Sequence, residues 1–534
     1  MKRLHNNAIG IALAALAIVV HVGTSFQYGY FRDELYFIAC AHHLAWGYID
    51  QPPLVAVAAW LSLPFGYALP EVRWIPTLAA GGAVFFACAL TREFGGGRFA
   101  QSIAGIATLL LPANLFLGST LTTTSFEPLT WTWILYLAVR VITIDKPVPA
   151  RILYGIAAVA VFAFYTKYSI LLLVSAIVIA LLLTRERGVL ANRHLIYATL
   201  GAALAVLPNV LWQATHAWPI FEVLHNDTAG RHAYNSGLVF QTSNLVHNAY
   251  LFALEQLVFT NPFLVPVWLA GLLALLFHPR FARIRFLGIS YVALFVMATT
   301  LGAKAYYIAG IYPTLCAAGA TIITSLAETT ADPSVRGKYF VLRKIVMYGL
   351  SIVFLIGGIA FAPLVLPLFP PQALISYEQR IGIKETHGNP PRLVQPLFAE
   401  EFGWPELAQH VARVYEYLPP NVRKHTAIFA DNYGDAGALD FYGPRNGLPP
   451  AISGQNSYYL WSQKRYNGLH VDMLIAVGAS QAATLRASFR RVELVDTYQH
   501  PYRWSAEGPT PIFLCQGPVE PFPLLWHRFK WFGA

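Results

Sequence analysis

Apolar runs close to the ~20 residues that cross a bilayer as a helix recur along this chain from Ala8 to about Pro367, and then stop. Eleven of them read as spans, near 8–26, 73–91, 99–118, 127–143, 152–166, 169–184, 194–212, 257–277, 286–301, 306–325 and 345–366. The apolar text from Ile152 to Thr184 is 33 residues long. As one helix it would measure about 50 Å, too long for a core of ~30 Å, so it divides at Lys167-Tyr168 into two short spans. The stretch 238–256 contains His247, Asn248, Glu255 and Gln256 and suits an interfacial helix better than a crossing.

From Leu368 the pattern becomes mixed. WPELAQHVARVYEYL puts Trp404, Leu407, Val411, Val414 and Leu418 on one helix face. TAIFAD, VDMLIAVG and RVELVDTY read as strands and LRASF as a short helix, while NYGDAGALDFYG and NSYYLW are turn-rich and aromatic. The predicted architecture is a multi-pass α-helical membrane domain, 1–367, with external loops at 27–72 and 213–256. A soluble α/β domain follows over 368–534. It either covers a site or chooses an acceptor, or serves as a structural cap.

Composition fits that picture: 56% of the 534 residues are hydrophobic and 12% charged, against about 25% charged in soluble domains. The formal charge of +10 would suit nucleic acid, but its placement follows the positive-inside rule instead. With the N-terminus inside, the cytoplasmic segments up to residue 366 hold seventeen Lys and Arg, and the outer segments hold five: Arg32, Arg73, Lys167, Arg231 and Lys304. An odd number of spans sends the C-terminal domain outside the cytoplasmic (inner) membrane. The first span, with its basic start, is an anchor; no small-residue cleavage site follows it. Cys40, Cys88, Cys316 and Cys515 have neither metal nor redox spacing and read as small buried hydrophobes.

The outer face holds the unusual chemistry. Its acids are Asp33, Glu34, Asp50, Glu71, Glu127, Glu222, Asp227 and Glu255. Any one of them could be a solvated loop charge. Ionisable groups at the membrane boundary are costly unless paired or functional. Lys167 in TKYS and Lys304 in GAKAYY sit directly between apolar runs, where a lysine suits a phosphate at headgroup depth. In FRDELYFIACAHHLAWGYIDQPP, Asp33 and Glu34 open a short helix along the interface. Two adjacent carboxylates are more than a helix start needs, and one of them can serve as a general base.

This first external stretch resembles that of the GT-C fold membrane glycosyltransferases, in particular glycosyltransferase family 39, which includes protein O-mannosyltransferases and the lipid A aminoarabinose transferase. TTTSFEPLTWTW is similar to the family's second external loop, and FYTKYSILLL and GAKAYYIAGIYPTLCAAGA to its phosphate-side lysine segments. The resemblance covers most of residues 30–320. It implies that Asp33 is the catalytic base, supported by Glu34. It implies that Glu127 is the second-loop acid, that Lys167 and Lys304 hold a lipid-linked phosphate, and that Tyr306 and Tyr307 pack beside them. Asp50-Gln51 stands where aminoarabinose transferases have Glu-Lys before Pro-Pro, which argues against that sugar. Glu127 stands where many relatives have Asp.

Between His216 and Asn244 lie Glu222, His225, Asp227, Arg231 and His232. Loop spacing alone does not make HNDTAGRH a metal site; a phosphate clamp or lid using Arg231 is the preferred reading. No metal ligand is assigned, and a divalent cation is left open. The expected enzyme is an inverting glycosyltransferase that moves a sugar from a polyprenyl-phosphate donor to an acceptor hydroxyl on a glycan, lipid or protein. The rival is a transporter or flippase of a lipid-linked or anionic substrate, which would carry repeated halves and broken helices; the sequence shows no internal repeat.

Overall fold

A computed structural model describes residues 2–144, 147–233, 245–328, 336–383, 396–466, 471–478, 480–503 and 509–533. The chain forms two compact units. The first comprises Met1–Ser25, Arg73–Val210 and Gly230–Leu366, and the second Phe26–Val72, Leu211–Ala229 and Pro367–Ala534.

The first unit is helical. Each stretch predicted as a span is largely helical. Among the described residues, four helices are long and apolar enough to cross alone: Asn7–Thr24, Leu69–Glu93, Arg193–Thr215 and Ala305–Ser325. The number long and apolar enough among the described residues rises to six if each of two bent pairs counts as one span. Those pairs are Arg98–Leu109 with Pro112–Gly118, bent by 63°, and Leu245–Phe259 with Pro262–Phe277, bent by 94°. The count of eleven came from hydropathy, and these lengths do not establish it. The breaks have a local cause, since each second helix opens on a proline, which lacks an N–H and pushes the preceding residue out of the helical region. The 238–256 stretch is helical from Leu245 onward; 238–244 lie outside the described residues.

The outer surface of this unit shows which solvent it fits. Only 11% of the apolar stretch within Arg193–Thr215 is buried; Leu200 and Leu204 point outward at 59% and 70% exposure. Such an apolar outer face belongs in lipid. The Ala305–Ser325 segment is the opposite, 89% buried, and its Tyr312 hydroxyl finds a partner inside the bundle, where lipid offers none. Tyr312 donates to Gln256 Oε1 at 2.7 Å, and Gln256 Nε2 donates to the Ala305 carbonyl at 3.0 Å. That contact fixes the backbone immediately after Lys304.

In the second unit a four-stranded sheet has the order β1-β2-β4-β3, from β1 (Thr426–Ala430), β2 (Met473–Val477), β3 (Phe489–Tyr498) and β4 (Thr510–Pro518). β1 and β2 are parallel, with Ile428 opposite Ile475. β4 is antiparallel to both neighbours, with Leu474 opposite Cys515 and Leu494 opposite Phe513. Phe429, Leu474, Phe522, Trp526 and Phe529 fill the core on one face. Three strands match the sequence pattern; β4, in TPIFLCQGP, was not read from it.

NYGDAGALDFYG and NSYYLW are helices, Tyr433–Tyr442 and Asn456–Tyr466, where the sequence suggested turns. For the first, the Asn432 side chain accepts from Asp435 N at 2.8 Å and caps the start. Its glycines serve a close approach. A Cβ on Gly434 would fall 2.3 Å from Arg32 Cγ, and one on Gly437 would fall 2.9 Å from the Leu35 carbonyl carbon. The helix is thereby pressed against the Arg32–Ala41 helix, which bears the acid pair.

Candidate active site

The predicted site residues fall into two clusters, one in each unit. In the second unit, Asp33 and Glu34 stand in the first turn of the Arg32–Ala41 helix. Glu34 is buried, and its Oε2 accepts from Phe31 N at 2.8 Å, which closes the start of its own helix. Asp33 remains partly open, its side chain 27% exposed. Its Oδ1 accepts from the Tyr433 hydroxyl at 2.9 Å and lies 3.6 Å from Arg32 Nε. Arg32 in turn pairs with Glu400 at 3.2 Å, and its guanidinium sits 5.1 Å from the Tyr433 ring centroid. Asp33 is therefore a carboxylate held from one side.

Asp50 is a neighbour of a different kind. It accepts from the Tyr36 hydroxyl at 2.8 Å and from Asn456 Nδ2 at 3.3 Å. Burial pushes its carboxyl up to about 7, against the Tyr36 hydrogen bond, and the like charges of Asp33 and Asp227 push the same way. In the unfolded chain it titrates near 3.8. Between about pH 4 and 7 only the unfolded state loses this proton, so stability falls as pH rises, and the slope ends above about 7. In Asp50→Asn the difference in thermal midpoint between pH 5 and pH 8 should shrink. An unchanged difference would place the titration elsewhere.

In the first unit, Lys167 caps the end of the Ala150–Thr166 helix with an extended backbone, at the break predicted from length. Its Nζ donates to Thr124 Oγ1 at 2.7 Å and lies 3.7 Å from Glu127 Oε1, which also accepts from the Ser169 hydroxyl. The ammonium lies 4.3 Å from the Tyr307 ring centroid and 5.1 Å from that of Tyr306, a cation–π arrangement. Lys304 stands at the start of the Ala305–Ile311 turn, close enough for its like charge to act on Lys167. Glu127, Lys167, Lys304, Tyr306 and Tyr307 thus share one cluster. Glu127 is nearly fully buried, and its Oε2 has no hydrogen-bond partner among the described residues.

An apolar cavity of about 600 Å³ runs among the helices of this unit. Phe164 and Ile170, each three residues from Lys167, line one part, and Leu153, Leu190 and Leu195 another. From Leu153 to Phe164 the wall extends about 17 Å along one helix, at ~1.5 Å per residue.

HNDTAGRH belongs to a helix, Pro219–Ala233, in place of the loop expected, with proline at its first position and Glu222 in its first turn. The Arg231 and His232 side chains lie outside the described residues. Glu222 pairs with Lys530 at 2.7 Å. Among the described residues, no three His, Cys, Asp or Glu side chains converge as an ion would require. Tyr433, Glu400, Thr124 and Ser169 were not picked out from the sequence. Thr124 and Ser169 lie within motifs that were, TTTSFEPLTWTW and TKYS; Tyr433 is four hundred positions from Asp33, and nothing in its own stretch points to that acid.

A crystal structure of ArnT from Cupriavidus metallidurans bound to undecaprenyl phosphate matches 94% of this chain and 97% of its own, with TM-score 0.56 and 15% identity. The apo structure of that protein matches the same shares with TM-score 0.59 and 14% identity. This chain has the GT-C fold. The resemblance read from its motifs is thereby upheld, and the GT-C fold makes it a multi-pass membrane protein. A family model described as dolichyl-phosphate-mannose-protein mannosyltransferase matches residues 50–212, a region that holds Asp50, Glu127 and Lys167 but neither Asp33 nor Lys304. The lipid A galacturonosyltransferase RgtD of Rhizobium johnstonii is 28% identical over 189 residues. That match spans 35% of this GT-C chain and 39% of the relative's length.

Proposed function

We propose that this protein is an inverting glycosyltransferase, moving a sugar from a polyprenyl-phosphate donor to an acceptor hydroxyl at the outer face of the cytoplasmic membrane. One observation carries the reading: an apolar cavity whose wall ends three residues from a lysine that is backed by two tyrosines and near a second lysine. A long isoprenoid and its phosphate need those two surroundings in sequence. No nucleotide sugar is available outside the cytoplasm, so a donor carried across on a lipid is the chemistry that fits.

In this reading Asp33 takes the proton of the acceptor hydroxyl through its open side as the oxygen attacks the anomeric carbon. The bond from that carbon to the phosphate oxygen breaks in the same displacement, which inverts the centre. Lys167 and Lys304 stabilise the charge gathering on the departing phosphate. The outer placement of residue Ala534 rests on the charge asymmetry, and a reporter fused there that reads cytoplasmic would overturn it.

The two sharply bent helix pairs also suit a transporter. The fold match along nearly the whole chain and a carboxylate held from one side favour the enzyme. The reading is tested by mass spectrometry of outer-leaflet glycans from a deletion strain, where one sugar should be missing.

A further inference from the structure

We infer that Tyr433, from the helix that follows β1, is a positioning residue for the Asp33 carboxylate and makes the C-terminal domain part of the acceptor-activating site. The inference rests on the reading of Asp33 as the base.

Tyr433 is confined on every side that the structure describes. Its backbone N–H donates to Gln455 Oε1 at 2.8 Å, and Gln455 Nε2 is itself fixed on the Gly533 carbonyl at 2.7 Å. The ring lies between the Arg32 guanidinium, at 5.1 Å, and the Tyr36 ring, at 4.9 Å between centroids. Burial, the largest influence, holds the phenol well above its ordinary range, so it stays a donor across physiological pH. Its hydroxyl is directed at Asp33 Oδ1, 2.9 Å away.

The close approach of helices at Gly434 and Gly437 is a second observation with the same sense. A side chain at either position would drive the Tyr433–Tyr442 helix away from Asp33. The helix is therefore built to deliver the first residue of its N-terminal turn to that carboxylate. By engaging Oδ1, Tyr433 fixes the carboxylate's rotation and leaves Oδ2 to meet an acceptor hydroxyl. The other charged groups around Asp33 are Arg32 on its own helix, Glu400 beyond Arg32, and Asp50.

The test is the kinetics of purified Tyr433→Phe in nanodiscs, with Asp33→Asn measured in parallel. Phe keeps the ring packing and removes the hydroxyl alone. Expected is a fall in kcat on the order of tenfold or more, since a hydrogen bond to a charged group is lost, with donor KM within about twofold. A phenol that donates to a carboxylate favours its charged form. The acidic limb of the pH–rate profile should therefore move to higher pH in Tyr433→Phe. Incorporating 3-fluorotyrosine at 433, a stronger donor of similar shape, should move it to lower pH and covers the case in which the Phe variant folds poorly. If Asp33→Asn is inactive while neither change at 433 moves the limb, the positioning role is wrong and the base stands. If Asp33→Asn turns over normally, the base reading itself is wrong.

Discussion

Asp33→Asn should abolish sugar transfer while leaving the protein folded and in the membrane. Asn is close to Asp in size, and its carbonyl oxygen can still accept the Tyr433 hydroxyl now bonded at 2.9 Å. Arg32 loses a partner at 3.6 Å but keeps Glu400 at 3.2 Å, so no cation is stranded. With 27% of the Asp33 side chain exposed, the change in folding should be small. What disappears is proton acceptance in the transition state. Loss of a general base costs roughly 10²–10⁴ in rate, or about 3–5 kcal/mol in barrier at ~1.4 kcal/mol per decade. Turnover of purified protein and its thermal midpoint, measured together, separate the two effects. Near-parent turnover would remove Asp33 from the chemistry, and a collapse of the midpoint would mean that its role is structural.

The second large effect belongs to the lysines. Lys304→Met should weaken donor-lipid binding by roughly 10- to 150-fold, the range for a lost charge-assisted contact of about 1.5–3 kcal/mol. Lys167→Met should weaken it as much, but the structure complicates the experiment. Glu127 is only 2% exposed and lies 3.7 Å from the Lys167 ammonium. Removing the lysine alone leaves a buried carboxylate without its cation, a change that costs about 3–5 kcal/mol in comparable sites. The informative variant is the pair Lys167→Met with Glu127→Gln, which removes both charges and lets Ser169 keep a partner. Arg at 167 should restore part of the affinity, since the charge returns in a different shape. If the paired variant and Lys304→Met both bind donor lipid as the parent does, the phosphate lies elsewhere.

Much of this was visible in the chain. The break at Lys167 follows from length alone, because the apolar text on either side is too long for one crossing. The lysine at that break and the acid in TTTSFEP both stood out in the sequence, and the structure sets them 3.7 Å apart. The shape of the C-terminal sheet was legible in three strands of four. β4 escaped because TPIFLCQGP has proline near one end and at the other, which weakens a strand pattern. The helix at Tyr433 escaped for a similar reason. Its two glycines and its acids read as a turn in isolation, and only the neighbouring Arg32–Ala41 helix explains them. The Tyr433–Asp33 bond joins positions that no local window contains.

The most direct measurement is mass spectrometry of the outer-leaflet glycans and lipid-linked sugars of a deletion strain, complemented with the parent gene or with Asp33→Asn. The account predicts that one sugar residue is missing from a glycan, that its polyprenyl-phosphate form accumulates, and that the parent but not Asp33→Asn reverses both. Glycans and lipid-linked sugars unchanged by the deletion would contradict it.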